Sequence, residues 1–306
     1  MSKKRGLRYG VIGLGSMGKN HCRIISTISG AHLAAISDID QAQGQALAQQ
    51  YQTQYFPDYM QMLDQVDAVS IVTPTATHYK VATELLQANK HCLIEKPITK
   101  ISDQALELVD LAKEKNVNLA VGFVERYNPA FIELKKLIRK EKIIGLEFKR
   151  FSPFPERISD ASVIEDMMIH DLDLLLDLLP NNKIESIKAE GKKIKTKMLD
   201  KVSACFYLES GAIAKISADR TNEERVRKIM VTIEKGMIEA DLMAKSIYFR
   251  DFQHPTPSVH ATKQHDQLTE ELQDFIKSIK LGIKPNCTGT DGYNAIKLAE
   301  EVQNLC

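Results

Sequence analysis

Hydrophobic and polar positions follow one pattern up to residue 122 and a different one after it. In the first part, short apolar runs of strand length alternate with longer segments in which apolar residues recur every three or four positions. The short runs predict buried strands, and the longer segments predict amphipathic helices. This alternation is typical of a parallel sheet with helices on both faces. We therefore predict a doubly wound α/β domain over residues 1–122.

The elements of this first domain follow directly from the pattern. Strands are predicted at 8–12, 33–37, 54–56, 68–72, 92–94 and 118–121. Helices are predicted at 17–28, 41–50, 59–63, 77–88 and 103–115. Asp40, Asp58 and Ser102 stand in front of three of these helices as candidate capping residues. Right-handed crossovers between such strands place a ligand at their carboxyl ends, where the strand order reverses.

After residue 122 apolar and polar residues alternate over long segments. This alternation predicts strands at 186–197, 204–208, 212–218, 228–234, 237–241 and 246–249, with turn residues between them. The result is an open, mostly antiparallel and meandering sheet over residues 123–306, an α+β arrangement. Helical periodicity at 129–140, 164–179, 268–281 and 292–305 predicts helices on one face of the sheet. The segment 254–265 contains two prolines and predicts a surface loop.

The face of this sheet that the helices leave open needs a different cover. Apolar residues such as Ile213, Ile229, Val231 and Ile233 are candidates for that face. An exposed apolar sheet face favours association between subunits. We therefore predict a homodimer or homotetramer formed through the second sheet.

Composition and charge narrow the classes of partner. The chain has 306 residues, of which 43% are hydrophobic and 26% are charged, and its formal net charge is +1. This balance gives no reason to expect nucleic acid or an anionic membrane as a partner. No segment reaches the roughly 18 consecutive apolar residues of a membrane span. The five cysteines are scattered without a C-x-x-C pair, which favours a reducing cytoplasm and indicates no zinc site.

A glycine-rich turn joins the first predicted strand to the first predicted helix. Gly13, Gly15 and Gly18 form a G-x-G-x-x-G pattern, which permits a tight bend and a close approach of the backbone to a pyrophosphate. The amides of Ser16, Met17 and Gly18 open the helix, so the positive end of its dipole faces the phosphates. Because the pattern follows a strand and begins a helix, it predicts a dinucleotide site.

Asp38 follows Gly18 by 20 residues and ends the second predicted strand. One role for it is to cap the next helix, but Asp40 is better placed for that cap. The other role is to accept hydrogen bonds from the adenosine ribose hydroxyls of the dinucleotide. A carboxylate here would repel a 2′-phosphate, and the neighbouring Ile39 supplies no basic group to bind one. NAD is therefore preferred to NADP as the cofactor.

The loop after the fourth predicted strand reads Thr73-Pro74-Thr75-Ala76-Thr77-His78. A plain strand-to-helix turn with threonine caps accounts for this composition. Its position gives it a second interpretation, since loops at this edge of a doubly wound sheet line the cofactor crevice.

Glu95-Lys96-Pro97 follows the apolar run at 92–94, so a carboxylate and an ammonium group emerge at a strand end in the nicotinamide half of the domain. A lysine beside an oxidised nicotinamide would release its proton more readily, because like charge and desolvation disfavour the ammonium form. A surface ion pair at a strand end is the alternative interpretation.

A third group of polar residues lies in the predicted helix 164–179. Asp166 and His170 are four positions apart on one helical face, and Asp173 and Asp177 extend the same stripe. The alternative is an amphipathic helix whose polar face lies in water. One histidine among aspartates lacks a usual zinc ligand set.

These motifs, in this order, resemble the glucose–fructose oxidoreductase and inositol dehydrogenase family (Gfo/Idh/MocA). The resemblance covers nearly the whole chain and implies an N-terminal Rossmann domain and an NAD-dependent dehydrogenase that acts on a sugar carbinol. It assigns catalysis at that carbinol to Lys96, Asp166 and His170, contact with the nicotinamide ribose to Glu95, and the lining of the cofactor cleft to Thr73, Pro74 and His78. The small-residue turn of many relatives before D-x-x-x-H reads Ala-Ser-Val-Ile-Glu here, at 161–165.

Within the family, residues 122–129 look like members that oxidise the 3-hydroxyl of UDP-N-acetylglucosamine or related nucleotide sugars. This narrower resemblance makes Arg126, Tyr127 and Asn128 candidates for substrate binding. Arg157 and Arg220, together with Arg126, are candidates to meet a substrate diphosphate, because guanidinium groups match phosphate oxygens. Ordinary surface arginines are the alternative. Two other functions stay open: a dehydrogenase of a free polyol or inositol, and a nonenzymatic NAD-sensing regulator on the same fold.

Overall fold

A computed structural model describes residues 6–155, 161–253, 258–260, 262 and 264–306 of the chain. These residues form two compact units. The first comprises Met1–Phe123 and Leu268–Tyr293, and the second comprises Val124–Gln267 and Asn294–Cys306. Residues 268–293 therefore return to the first unit, a feature that the hydrophobic pattern does not indicate.

A six-stranded parallel sheet forms the centre of the first unit, which confirms the predicted Rossmann architecture. Its strands are β1 (Leu7–Ile12), β2 (Ala31–Ser37), β3 (Gln54–Phe56), β4 (Ala68–Ile71), β5 (His91–Glu95) and β6 (Leu119–Gly122). The strand order is β3-β2-β1-β4-β5-β6, and every pairing is parallel. The order reverses between β1 and β4, which is the position where such sheets bind dinucleotides.

Four α-helices connect these strands close to the predicted positions. They are α1 (Ser16–Ile25), α2 (Gln41–Tyr51), α3 (Thr75–Gln87) and α4 (Ser102–Lys115), and a 3-10 helix spans Tyr59–Gln65. The carboxylate of Asp40 accepts the Gln43 amide at 3.0 Å and that of Asp58 accepts the Met60 amide at 2.9 Å, so both predicted caps are confirmed. Ser102 is itself the first residue of α4, one position earlier than predicted.

An eight-stranded, mostly antiparallel sheet forms the centre of the second unit. Its strands are β7 (Ile143–Phe151), β8 (Ile184–Lys192), β9 (Lys201–Leu208), β10 (Ile213–Asp219), β11 (Val226–Ile233), β12 (Gly236–Asp241), β13 (Ser246–Asp251) and β14 (Ser258–His260). The order is β14-β13-β12-β11-β7-β10-β9-β8. The class of sheet is confirmed, but the continuous meander is not, because β7 lies between β11 and β10 and pairs with β10 in parallel.

Two strands of this sheet were not predicted. β7 buries Leu146 and Phe148 on one face, but the third buried residue of that face is Arg150, which interrupts the apolar alternation. A strand with a charged residue at a buried position cannot be recognised from its hydrophobic pattern. The charge of Arg150 is tolerated here because it is paired with two carboxylates. β14 falls inside the predicted loop 254–265, of which the structure describes only a part.

The remaining helices are α5 (Pro129–Ile138), α6 (Ile169–Leu178), α7 (Gln267–Leu281) and α8 (Gly289–Leu305). Apolar residues of α5, α6 and the second half of α8 share one core with one face of the second sheet. None of the helices in the described ranges has both the length and the apolarity needed to cross a membrane.

The open face of the second sheet differs from the prediction. Ile229, Val231 and Ile233 are fully buried, because residues two positions apart share a face and this face packs against the helices. Only Ile213 of the four candidate residues is exposed, at 45%. The three buried isoleucine and valine residues therefore give no reason for subunit association, and the homo-oligomer remains a prediction.

A buried ion pair fixes the segment that precedes the 164–179 helical region. Asp200 accepts the backbone amides of Ile194, Lys195 and Thr196 at 2.6 to 3.0 Å, and its other oxygen accepts Arg220 Nε at 2.9 Å. Burial alone would raise the pKa of Asp200, but these donors hold it well below its ordinary value. Arg220 also donates to the Ala161 carbonyl at 2.8 Å, so the pair anchors the residues just before the helix.

Replacing Asp200 by Asn removes the charge that offsets the buried Arg220 guanidinium. Breaking one side of a buried pair costs about 3–5 kcal/mol. We expect urea unfolding at pH 7 to show a loss of this size, whereas the exposed control Glu209→Gln changes little. The contribution of Asp200 is complete above its ordinary pKa of about 3.9 and is lost as the pH falls below it. The Asn variant should therefore lose less stability on acidification than the parent, and an equal acid loss in both proteins would contradict this assignment.

Candidate functional site

The predicted dinucleotide turn is closely packed on its inner side and open at one residue. Gly13 has a φ of +90°, and a Cβ there would lie 2.7 Å from the Val72 carbonyl group. A Cβ on Gly18 would lie 1.9 Å from the Gly13 oxygen. By contrast, a Cβ on Gly15 would meet no atom within 4 Å. The turn therefore has room for a ligand at Gly15, and the amides that open α1 at Ser16 and Met17 follow it directly.

Asp38 is attached to this turn by hydrogen bonds. Its Oδ2 accepts the Leu14 amide at 2.5 Å, and its Oδ1 accepts the Asp40 amide at 2.8 Å. Since Asp40 caps α2, Asp38 is not needed as the cap. A carboxylate has about four acceptor positions, so two remain for other donors. The next side chain, Ile39, is 98% exposed and brings no positive charge.

His78 connects two loops at the carboxyl edge of the sheet. Its ring is only 1% exposed, with Nε2 2.7 Å from the Thr73 carbonyl oxygen and Nδ1 2.9 Å from the Pro97 carbonyl oxygen. Burial lowers the pKa of His78, although the carbonyl groups of Thr73 and Pro97 oppose this shift. The ring thus braces the turn at Thr73 and Pro74 against the turn that follows β5, and any effect of His78 on a cofactor is expected to act through these turns.

Glu95 and Lys96 lie where β5 ends. Glu95 is the last residue of the strand, and its Oε1 is 3.1 Å from Nε2 of His21 on α1. Lys96 is half-buried, and the Lys96–Pro97 peptide bond is cis. The first unit therefore brings the glycine turn, Asp38, the Thr73 turn and the Glu95-Lys96 pair to one edge of one sheet, as the order of its strands requires.

The Asp166 and His170 motif belongs to the second unit, where the predicted single helix is in fact two elements. A π-helix spans Ile164–Met168, and α6 continues from Ile169. Both Asp166 and His170 are half-buried. π-helical turns inside helices occur frequently at functional sites. Because Lys96 belongs to the first unit, its convergence with Asp166 and His170 stays a prediction.

A capping pattern that the sequence analysis missed begins this helical region. Glu165 Oε2 accepts the Ser162 amide at 2.9 Å, and the Ser162 hydroxyl is 3.4 Å from the Glu165 amide. This reciprocal arrangement corresponds to the S-x-x-E capping box, which can be read from sequence. It explains why the segment 161–165 starts a helix although it lacks the small-residue turn of many relatives.

Two acidic residues of α6 are buried, and one of them, Asp173, belongs to the predicted stripe, so the interpretation as a water-facing face is wrong for Asp173. Asp171 is 2% exposed and Asp173 is fully buried. Arg150 binds both oxygens of Asp171 at 3.0 and 2.8 Å, and Arg126 binds both oxygens of Asp173 at 2.8 and 2.6 Å. Burial raises the pKa of Asp171, although Arg150 opposes this shift. Two bidentate pairs therefore hold the helix that carries His170.

Glu125 extends the Arg150–Asp171 pair into a network. It accepts Arg150 Nη1 at 3.0 Å, Arg227 Nη1 at 3.2 Å and Asn128 Nδ2 at 3.1 Å. Burial alone would raise the pKa of Glu125, but the two guanidinium groups bring it below its ordinary value. The cluster is thus a set of paired charges inside the second unit.

The candidate substrate residues have specific places in this unit. Arg126, Tyr127 and Asn128 are 4%, 7% and 1% exposed. Asn128 caps α5 by accepting the Ala130 amide at 3.0 Å. Arg126 and Arg220 both have buried carboxylate partners, so neither is an ordinary surface arginine. Because their guanidinium groups are already paired, we do not propose that they bind a substrate diphosphate. Arg157 lies outside the described residues.

Comparison with known proteins decides the family. A family model described as "Oxidoreductase family, NAD-binding Rossmann fold" matches residues 7–123, and one described as "GFO/IDH/MocA C-terminal domain" matches residues 146–239. The chain belongs to the GFO/IDH/MocA family. The family resemblance, the fold class and the interpretation as an oxidoreductase are therefore confirmed.

Individual relatives of this family cover nearly the whole chain. The UDP-N-acetylglucosamine 3-dehydrogenase of Acidithiobacillus ferrooxidans is 32% identical over 97% of this chain and 96% of its own length. A solved structure of that enzyme has a TM-score of 0.92 and covers 98% of this chain and 97% of its own. The inositol 2-dehydrogenase of Rhizobium meliloti is 27% identical over 96% of this chain and 95% of its own length.

Two glycines of the family's cofactor turn should respond differently to an added methyl group. We expect Gly18→Ala to destabilise the protein by roughly 1–3 kcal/mol or more, because its Cβ meets backbone that cannot move aside. Gly15→Ala adds its methyl group to open space and should change stability by less than about 0.5 kcal/mol. Thermal unfolding without cofactor measures both effects. Equal losses in the two variants would contradict the described turn.

Proposed function

We propose that the chain is an NAD-dependent dehydrogenase that oxidises the 3-hydroxyl of UDP-N-acetylglucosamine, or of a closely related nucleotide sugar, to a 3-keto sugar. The observation that carries this proposal is the similarity to the relative named UDP-N-acetylglucosamine 3-dehydrogenase. The two proteins are 32% identical, and the aligned region covers 97% of this chain and 96% of that relative. The relatives named as inositol dehydrogenases are 27% identical or less, and they support a free polyol as the second candidate substrate. The relatives reported above are named dehydrogenases, which favours an enzyme over a nonenzymatic NAD sensor.

The residues of the first unit fit a bound dinucleotide. The open space at Gly15 lies beside the amides that begin α1, and the Asp38 carboxylate is fixed to the same turn with acceptor positions to spare. We propose that these amides bind the pyrophosphate, that Asp38 binds the adenosine ribose, and that Glu95 binds the nicotinamide ribose. When bound, the cofactor supplies the hydride acceptor at its nicotinamide ring.

The protein's own catalytic work is to position the sugar and to move one proton. We propose that Lys96 and His170 stand at the same sugar carbinol and that one of them removes the hydroxyl proton as the hydride leaves the carbon. Asp166 orients or polarises that base. Asp171 and Asp173 of α6 are held by buried ion pairs, and these pairs fix the helix that carries His170. A fixed helix favours accurate placement of the His170 side chain at the substrate. A cytoplasmic location and a homo-oligomeric state remain predictions of the sequence.

Turnover with defined substrates tests this proposal. Purified protein with NAD and UDP-N-acetylglucosamine should produce the absorbance of NADH, with a carbonyl scavenger present so that the keto product does not accumulate. Lys96→Met should lower kcat by about 10²–10⁴-fold because it removes a proton-transfer group, while NAD affinity changes little. The exposed Lys100→Met is the matched control and should retain full activity.

The outcomes separate the two substrates. Turnover with myo-inositol and none with UDP-N-acetylglucosamine would replace the nucleotide sugar by a free polyol. Full turnover by Lys96→Met would contradict the role of Lys96.

Cofactor choice is tested at Asp38. Asp38→Asn keeps an oxygen that can accept the Leu14 amide but removes the negative charge that repels a 2′-phosphate. We expect the ratio of NADP to NAD affinity to rise by about tenfold, the effect of roughly 1.4 kcal/mol. Asp40→Asn, which alters the neighbouring carboxylate at the cap of α2, should leave the ratio unchanged. A parent protein that binds NADP as tightly as NAD would refute the assignment.

A further inference from the structure

A continuous chain of buried polar groups runs from β1 to the end of β5 in the first unit. The hydroxyl oxygens of Tyr9 and Ser70 are 2.8 Å apart, Ser70 Oγ is 2.9 Å from His21 Nδ1, and His21 Nε2 is 3.1 Å from Glu95 Oε1. Tyr9, Ser70 and His21 are fully buried. The chain therefore ends at the carboxylate that we place at the nicotinamide ribose.

One set of proton positions satisfies every donor of this chain. With the proton of a neutral His21 on Nε2, that nitrogen donates to Glu95 and Nδ1 accepts the hydroxyl proton of Ser70. Ser70 in turn accepts the hydroxyl proton of Tyr9. Glu95 receives one hydrogen bond from this chain, and His21 thus holds one oxygen of the Glu95 carboxylate.

A second acid, Glu271 of α7, lies close to this chain and is held differently. Its side chain is 2% exposed, both of its carboxyl oxygens are buried, and no group in the described residues forms a hydrogen bond with either oxygen. Helix α7 packs over β1 here, since the rings of Phe275 and Tyr9 meet edge to face with centroids 6.2 Å apart. This situation contrasts with Glu125, which is equally buried but is surrounded by donors.

The surroundings of Glu271 favour its neutral form. Burial raises its pKa well above the ordinary value, and the negative charges of Glu95 on β5 and Asp274 on α7 add to this shift. A negative charge on Glu271 would also raise the pKa of the buried Tyr9 hydroxyl on β1. A buried carboxylate without donors is strongly disfavoured, whereas a protonated carboxyl group carries no net charge.

We propose that Glu271 is a positioning residue for the cofactor: as a neutral acid beside Glu95, it leaves that carboxylate to His21, which holds it where the nicotinamide ribose binds. This inference rests on the proposed function, in which Glu95 contacts that ribose. When the pH exceeds the raised pKa of Glu271 and the group ionises, a second buried negative charge repels Glu95 and displaces its side chain. Cofactor affinity then falls because a ribose contact is lost.

Titration of protein with NADH, followed by its fluorescence, tests this role between pH 6.5 and 9.5. NADH is the suitable probe because its nicotinamide ring is uncharged, so direct attraction between ring and carboxylates does not enter. The parent protein should lose affinity as the pH rises, by up to about tenfold for each pH unit above the pKa of Glu271. Glu271→Gln, which imitates the neutral acid, should bind within about twofold of the parent near neutrality and lack this alkaline loss.

Two further variants separate positioning from packing. Glu270→Gln removes an acid one position away on the same helix and should follow the parent pH profile. Glu271→Met fills the same space without a titratable group and should also lack the alkaline loss, even where its stability is lower. An alkaline loss that persists unchanged in Glu271→Gln, a flat profile in the parent, or failure of Glu271→Gln to bind NADH near neutrality would overturn the inference. Failure of the parent protein to bind NADH at any pH would instead overturn the proposed function.

Thermal unfolding without cofactor gives a second readout of the same group. Because the folded protein raises the pKa of Glu271, its stabilising contribution is complete below the ordinary pKa of about 4.3 and is lost as the pH rises towards the raised value. The melting temperature of Glu271→Gln relative to the parent should therefore increase from pH 5 to pH 9. A difference that does not change with pH would show that folding does not raise the pKa of Glu271 and would contradict the inference.

Discussion

The first unit depends on a close backbone contact between the glycine turn after β1 and the first turn of α1. Gly18 approaches the Gly13 carbonyl so closely that no side chain fits between them. This contact fixes where α1 begins relative to the end of β1, and it therefore also sets the direction of the α1 axis. Along the same helix, His21 then reaches Glu95 at the end of β5. One steric constraint thus sets both the turn where we propose that the pyrophosphate binds and the position of the carboxylate that we propose for the nicotinamide ribose.

The two units handle buried charge in opposite ways. In the second unit the carboxylates of Glu125, Asp171 and Asp173 each meet a guanidinium group. Such pairs contribute little net stability over apolar packing, but the loss of one partner is costly, so they favour a single arrangement of the helix that carries His170. In the first unit no described residue gives Glu271 such a partner, and protonation is the remaining way to bury it. The first arrangement favours rigidity, and the second makes the cofactor site sensitive to pH.

Sequence patterns predicted those parts of the fold whose signals are local. The apolar runs of the first sheet, the glycine turn and the caps at Asp40 and Asp58 depend on neighbouring residues, and the structure places them as predicted. β7 was missed because Arg150 occupies a buried strand position, and its carboxylate partners are distant in sequence. The π-helix at Ile164–Met168 has the same apolar pattern as an α-helix, so its different winding was not detected.

For the candidate site as well, sequence patterns predicted some features and missed others. Motif residues at strand ends, such as Asp38 and Glu95, could be found because strand order and position define the ligand edge of the sheet. The burial of Arg126 with Asp173 could not be predicted, since a free and a paired arginine are identical in sequence. The closeness of Glu271 to Glu95 likewise arises from the return of α7 to the first unit, which no periodicity reveals.

Isotope transfer tests the central claim, hydride transfer from the sugar to the cofactor, most directly. The protein would be incubated with NAD and UDP-N-acetylglucosamine carrying deuterium at C3, and the resulting NADH would be examined by proton NMR. The account predicts deuterium at C4 of the nicotinamide ring, on one face only. NADH that forms without deuterium would contradict oxidation at C3, and the absence of any NADH would contradict the activity itself.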